Sequence, residues 1–168
     1  SLLKQMEQQL RQPILAGSFM SENYMSAGNN WNIDSLFNAL KALDEVASHE
    51  ITLSLIQSSE PSIKLEMNEF GGLPIHIAVA GQQIIVDTVL VDIDSITDVH
   101  AFNDAVLRSR EMFPLSSIGI ESMPNGQTVY NMFGALSADS SLTNVVTEVK
   151  TLVDNVQRAS EAFEHFFK

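Results

Sequence analysis

A chain of 168 residues with a 45% hydrophobic share is long enough to bury one core and too short to need two. Its formal charge of -12, from 9 Lys and Arg against 21 Asp and Glu, repels phosphate backbones and anionic lipid, so nucleic acid is excluded as an expected partner. The lack of cysteine removes disulfide frameworks, thiolate nucleophiles and cysteine zinc sites, and favours a reducing, cytoplasmic setting.

Residues 1 to about 30 read as an appendage. Leu2, Leu3, Met6 and Leu10 form a short helical stripe that Pro13 ends, and a polar Gly/Ser/Asn stretch runs to Asn30. Lys4 and Arg11 cancel Glu7 and Glu22, so the net charge belongs to residues 31–168, which are expected to form a single domain. The apolar content of the appendage exceeds that of a free solvated tail, which predicts that it docks, with Leu2, Leu3, Met6 and Leu10 as anchors.

From Trp31 onward the pattern sharpens. Ile33, Leu36, Phe37, Leu40, Leu43 and Val46 fall at helical spacing behind Asn32 or Asp34 as caps, predicting a helix over roughly 33–48. Ile51, Leu53 and Leu55, then Ile63, Leu65 and Met67, alternate with polar residues across the turn Ser58-Ser59-Glu60-Pro61 and predict a hairpin. Gly71-Gly72 opens a third strand, Leu73 to Ala80, and Gly81-Gln82 turns into a fourth, Ile84 to Asp92. The most apolar window, Leu73 to Val91, is interrupted by Gly81-Gln82-Gln83 and carries His76 and Asp87, so membrane insertion is not expected.

Thr97 or Asp98 is expected to cap a second helix that faces Val99, Phe102 and Val106 inward and stops at Pro114. Strands over Leu115 to Glu121 and Gln127 to Ala135 follow, joined by the turn Met123-Pro124-Asn125-Gly126. Finally Leu142, Val145, Val149, Leu152, Val156, Ala159, Phe163 and Phe166 recur at alternating spacings of three and four, predicting one long helix to the end of the chain. The fold class is therefore α+β: an antiparallel sheet in the order α-ββββ-α-ββ-α, with the long last helix packed on it.

Catalytic patterns do not emerge. The four histidines, His49, His76, His100 and His165, lack the i,i+4 spacing that puts two imidazoles on one helical face. Ser116-Ser117-Ile118-Gly119 lacks the flanking glycines of a nucleophile elbow, and Gly71-Gly72 precedes a strand, not a phosphate-binding helix. The expectation is thus a non-enzymatic domain without cofactor. The alternative is a small metal-dependent enzyme or sensor built on His76 with Asp87, Asp92 and Asp94, whose oxygens could hold a hard cation. For the last helix two burials stay open, on the domain's own sheet or partly on a second chain as a homodimeric zipper. A partner-receiving surface is placed at Phe163, Phe166 and Phe167, with Val156 and Val149 on the same face.

Trp31-Asn32-Ile33-Asp34-Ser35-Leu36, Phe113-Pro114-Leu115-Ser116-Ser117, Phe133-Gly134-Ala135-Leu136-Ser137 and the closing helix together resemble the YjfI-like family of uncharacterised bacterial proteins, over residues 31–168. The resemblance implies a cytoplasmic bacterial protein of the kind encoded near phage-shock-protein-A-like (PspA-like) membrane-stress proteins, which makes such a stress-response protein a candidate partner. The element order is also similar to that of type III secretion chaperones, with four strands instead of three between the first two helices. Taken together, the expected function is a chaperone-like, protein-binding adaptor that captures an amphipathic segment of a partner.

Overall fold

The computed structural model describes residues 30–168. The docking segment expected at Leu2, Leu3, Met6 and Leu10 lies outside the described residues. Trp31 is held at both ends: its backbone N–H donates to the Ala138 carbonyl at 2.8 Å and its indole Nε1 donates to the Ser140 carbonyl at 2.7 Å.

The first helical stretch is two helices, α1 (Ile33–Lys41) and α2 (Asp44–Ala47). Asn32 caps α1 reciprocally: its Oδ1 accepts from the Ser35 N–H at 2.9 Å, and Ser35 Oγ accepts from the Asn32 N–H at 3.0 Å. The helix predicted to run to 48 breaks because Leu43 is extended, at φ -69° and ψ 145°, which turns Leu43 and Val46 back toward the core.

Strands β1 (Ile51–Ile56), β2 (Ser62–Met67), β3 (Leu73–Ala80) and β4 (Gln83–Asp92) then form the expected meander. A connection through α3 (Val99–Arg108) leads to the hairpin β5 (Ser117–Ser122) and β6 (Thr128–Ser137). All pairs are antiparallel in the order β1-β2-β3-β4-β6-β5, so β6 joins β4 inside the sheet and leaves β5 at one edge, β1 at the other. A register shift between Val89 and Val91 bulges β4. The strand expected from Leu115 begins at Ser117 because Leu115 sits in the left-handed region, at φ 66°, unfavourable for a side chain of its size.

Helix α4 (Leu142–Ala162) lies across β4 and β6, capped by Ser141, whose Oγ accepts from the Asn144 N–H at 3.1 Å. Val145, Val149, Leu152, Val153 and Ala159 are buried against Ile75, Ile77, Ile84, Val86 and Met132 of the strands. Each buried Val or Leu contributes roughly 1.5–3 kcal/mol relative to leaving it in water. The heptad seam is thus covered by the domain's own sheet, the first of its two expected burials. It is not an open zipper.

The helix also stops earlier than its periodicity predicts. Phe163 caps it, and a 3-10 turn, Glu164–Phe166, folds the C-terminus back. Thr97 donates to the Phe166 carbonyl from both its N–H, at 2.8 Å, and its hydroxyl, at 3.0 Å, while the Lys168 N–H donates to the Ser95 carbonyl. Phe102 of α3 becomes the hub of an aromatic cluster, with the rings of Tyr130, Phe163 and Phe166 at 4.6, 5.4 and 5.4 Å.

Two polar residues interrupt the buried side of α4. Asn155, fully buried, donates through Nδ2 to the Pro114 carbonyl at 2.8 Å and to Ser116 Oγ at 2.9 Å. Two turns earlier, the buried Glu148 carboxyl lies over Gly134, where a Cβ would overlap it and stand 2.9 Å from the Leu115 carbonyl. Glycine at 134 is thus demanded by close approach. Gly134→Ala is expected to destabilise the domain by about 1–3 kcal/mol, and to cost clearly less in a Glu148→Ala background, where part of the overlap is gone. Urea unfolding of the two singles and the double measures this, and equal costs in both backgrounds would refute the contact.

Candidate functional site

All four α-helices among the described residues lie on one face of the sheet, where the alternating apolar side chains point. The other face carries a cross-strand row, Ser54, Lys64, His76, Asp87, Phe133 and Ser117. His76 and Asp87, singled out together in the sequence, are direct neighbours here. Burial raises the Asp87 carboxyl above its ordinary value, against the opposing pull of His76, while Glu121 adds to the rise.

Asp92 and Asp94 do not join them. Asp92 is five residues along β4 from Asp87, about 16 Å at strand rise. Its Oδ1 accepts from the Asp94 N–H at 2.8 Å and its Oδ2 from Gln127 Nε2 at 2.6 Å, so the carboxylate closes a turn. Among the described residues, no three His, Cys, Asp or Glu converge on a common centre.

The partner surface expected on α4 is divided. Val149 and Phe163 are core residues, 2% and 5% exposed, and offer no area to a partner. Phe166 and Phe167 are half-buried, their rings turned toward Phe102. Phe163 and Phe166 only floor a shallow hollow of about 450 Å³ beside Arg108 and Met112. Val156, by contrast, remains half-buried and lines an open groove.

That groove runs along the other flank of α4 and is centred on Phe70, in the 3-10 turn Asn68–Phe70 between β2 and β3. On one side of Phe70 a hollow of about 310 Å³ has Ile51, Met67 and Val153 as its apolar floor. On the other, Leu73 and Val156 floor a second hollow of about 520 Å³. From Lys150 to Glu161 the α4 wall spans 12 residues, about 17 Å at the helical rise.

The rim is acidic. Glu45, Glu50, Glu69, Asp154 and Glu161 surround the two hollows, against a single ammonium, Lys150. Lys150 Nζ lies 2.7 Å from Glu45 Oε1, and this bond holds the Glu45 carboxyl below, and the Lys150 ammonium above, their ordinary ranges. Phe70 is 38% exposed between them. Neither Phe70 nor its acidic ring was singled out in the sequence. The available signal was an aromatic residue in a polar turn, Asn68-Glu69-Phe70-Gly71-Gly72, where solvation alone would place none.

A two-layer α+β domain with one face of its sheet covered by helices and an acidic groove beside the longest of them defines the class. The crystal structure of YbjN from E. coli has the same fold, with a TM-score of 0.58, 11% identity, and coverage of 82% of this chain and 96% of that one. The chain belongs to a bacterial family described as "Uncharacterized protein conserved in bacteria (DUF2170)", whose pattern matches residues 30–167. YjfI of Escherichia coli strain K12 is 35% identical over 136 residues, spanning 81% of this chain and 97% of YjfI, and YjfI of E. coli O157:H7 matches equally. The expected YjfI-like resemblance is thereby established. No helix among the described residues is long and apolar enough to cross a membrane.

The raised Asp87 carboxyl carries a definite sign. A carboxyl whose folded value lies above its unfolded one favours the folded state most at low pH, and that contribution is lost as pH rises from the ordinary aspartate value, about 3.9, through the folded value. Asp87→Asn is expected to gain stability relative to the native protein as pH is raised from 4 to 7 (approximate bounds of that window). Urea midpoints across this range test it; a constant difference would count against burial as the cause.

Proposed function

We propose that this protein is a non-catalytic, cytoplasmic adaptor whose α4 groove receives a basic amphipathic segment of a partner protein. The observation that carries the reading is the combination of an apolar floor, exposed Phe70 and a nearly uncompensated acidic rim. Apolar anchors on one side of a segment would fill the hollows on either side of Phe70, while Lys or Arg beside them meet Glu69, Asp154 and Glu161. The wall length matches about three helical turns or five extended residues. Acidic surroundings speed the encounter and discriminate against acidic segments.

The chaperone-like capture anticipated from sequence is thereby kept, with its receiving surface moved from the C-terminal phenylalanines to the Phe70 groove. A PspA-like membrane-stress protein is a candidate partner on condition that it presents such a segment. The cis-docking of residues 2–10 is a competing occupant of the same groove, supported by Lys4 among Leu2, Leu3 and Met6.

Titration with two designed amphipathic peptides sharing one leucine face, one with lysines and one with glutamates on the other face, tests the reading. The lysine peptide is expected to bind the 168-residue chain, more weakly as salt rises. Glu69→Lys together with Asp154→Lys should weaken it roughly tenfold or more, about 1.4 kcal/mol. Equal binding of both peptides, or indifference to the double substitution, would sink the proposal.

A further inference from the structure

We infer that a second copy of this chain pairs with the first through the edge strand β5, joining two six-stranded sheets into one. Four of the large apolar side chains that stand exposed among the described residues fall within one short stretch: Leu107, Met112, Leu115 and Ile120, at 79%, 46%, 62% and 56%. Among the described residues β5 hydrogen-bonds only to β6, so its other side presents backbone groups that no described residue pairs. Natural edges are blunted by lysine, proline or a bulge. Ser117-Ile118-Gly119-Ile120-Glu121-Ser122 has none of these, and its six residues keep an unbroken register with β6.

The occupant follows from register and charge. In antiparallel pairing about a twofold axis normal to the sheet, opposed residues share a face, so the axis must pass through a residue. Centred on Gly119, it sets Ile118 against Ile120 of the second copy, and Ser117 against Glu121. The isoleucines then form a cross-strand ladder on the helix-bearing face, the most favourable kind of β-branched pairing available to this edge. On that face an apolar hollow of about 300 Å³, between α3 and β5, is lined by Val106, Leu107, Ile118 and Ile120, and pairing would extend it across the axis.

Electrostatics permit the approach here. The chain carries -12, but residues 103–123 hold three carboxylates, Asp104, Glu111 and Glu121, and two guanidinium groups, Arg108 and Arg110. The opposite edge is different: Ile51 of β1 is buried, Leu53 and Leu55 are half-buried, and the acidic rim at Glu45 and Glu50 stands beside its start. Two copies meeting through β1 would bring those rims together.

The test uses the full chain, which has no native cysteine. Sedimentation equilibrium at micromolar concentration should give a dimer. Ile120→Lys, and independently Leu107→Lys on the outside of α3, should each raise the dimer dissociation constant roughly tenfold or more with the monomer still folded by circular dichroism. Mixing a Ser117→Cys chain with a Glu121→Cys chain under oxidising conditions should give the mixed disulfide well ahead of either homodisulfide, because residues four apart along a strand are about 13 Å from one another. A monomer by mass, a dimer indifferent to both lysine substitutions, or cross-linking without preference for the mixed pair would each overturn the inference. None of these readings depends on peptide binding in the α4 groove.

Discussion

Everything distinctive about this domain depends on how α4 is buried. The helix covers the centre of the sheet, β4 and β6, with an aliphatic row, and within that row it places two polar side chains, Glu148 and Asn155. Their positions are seven residues apart, two helical turns, so both face the same strip of the sheet. Asn155 holds Pro114 and Ser116 by hydrogen bonds, and Glu148 lies against Gly134, whose α-carbon also faces the Leu115 carbonyl. The residue between those two fixed points, Leu115, is the one forced into a left-handed conformation with its side chain outward. Burying an amide and a carboxyl is costly unless they are matched, and Asn155 is matched. Glu148 adapts differently: burial raises its carboxyl toward the neutral form.

That arrangement also explains where open surface remains. An antiparallel sheet needs only one apolar face covered, and the helices spend themselves on that face. α4 crosses the middle, leaving a flank toward β1, β2 and β3 that the short turn at Phe70 only partly fills, which is the groove. Toward the opposite edge, α3 ends at Arg108 and the chain turns away through Arg110–Met112, so β5 is left with apolar side chains beside a hollow. The two surfaces are consequences of one helix being long and central while the others are short.

The sequence made the layered α+β order legible because strand alternation and helix periodicity here are clean, and the caps at Asn32 and Asp98 are satisfied as side-chain spacing implied. Two of the helix lengths that differ from the sequence reading, the first and the last, share a cause. Leu40, Leu43 and Val46, like Phe163 and Phe166, are three residues apart, a spacing that α-helix, 3-10 turn and a broken helix all satisfy. What ended each helix was tertiary: an extended Leu43 in one case, and in the other the Thr97 donors at the Phe166 carbonyl, 69 residues away in sequence. The surface expected to receive a partner is partly closed for a related reason. Periodicity identifies an apolar face without saying what covers it, and Val149 and Phe163 turned out to be covered by this chain. The groove instead depends on a juxtaposition of α2, the β2–β3 corner and α4, which no local pattern encodes.

The positions of the two open surfaces bear on how they would work together. The groove opens beside α4 toward the β1 side, while β5 lies at the far edge of the sheet, separated from it by β6 and β4. A twofold axis through β5 therefore leaves both grooves uncovered, one on each outer flank of a continuous sheet. Two weak sites held at fixed separation bind a partner with two basic segments, or a partner that itself assembles, far more tightly than either site alone. This gain requires no new contact, only a linker between segments that spans the two flanks. A partner with one segment gains nothing from the second groove and binds each at its single-site affinity. An acidic, one-sided domain of this size can thus select for assembled over single partners by the placement of its edge strand.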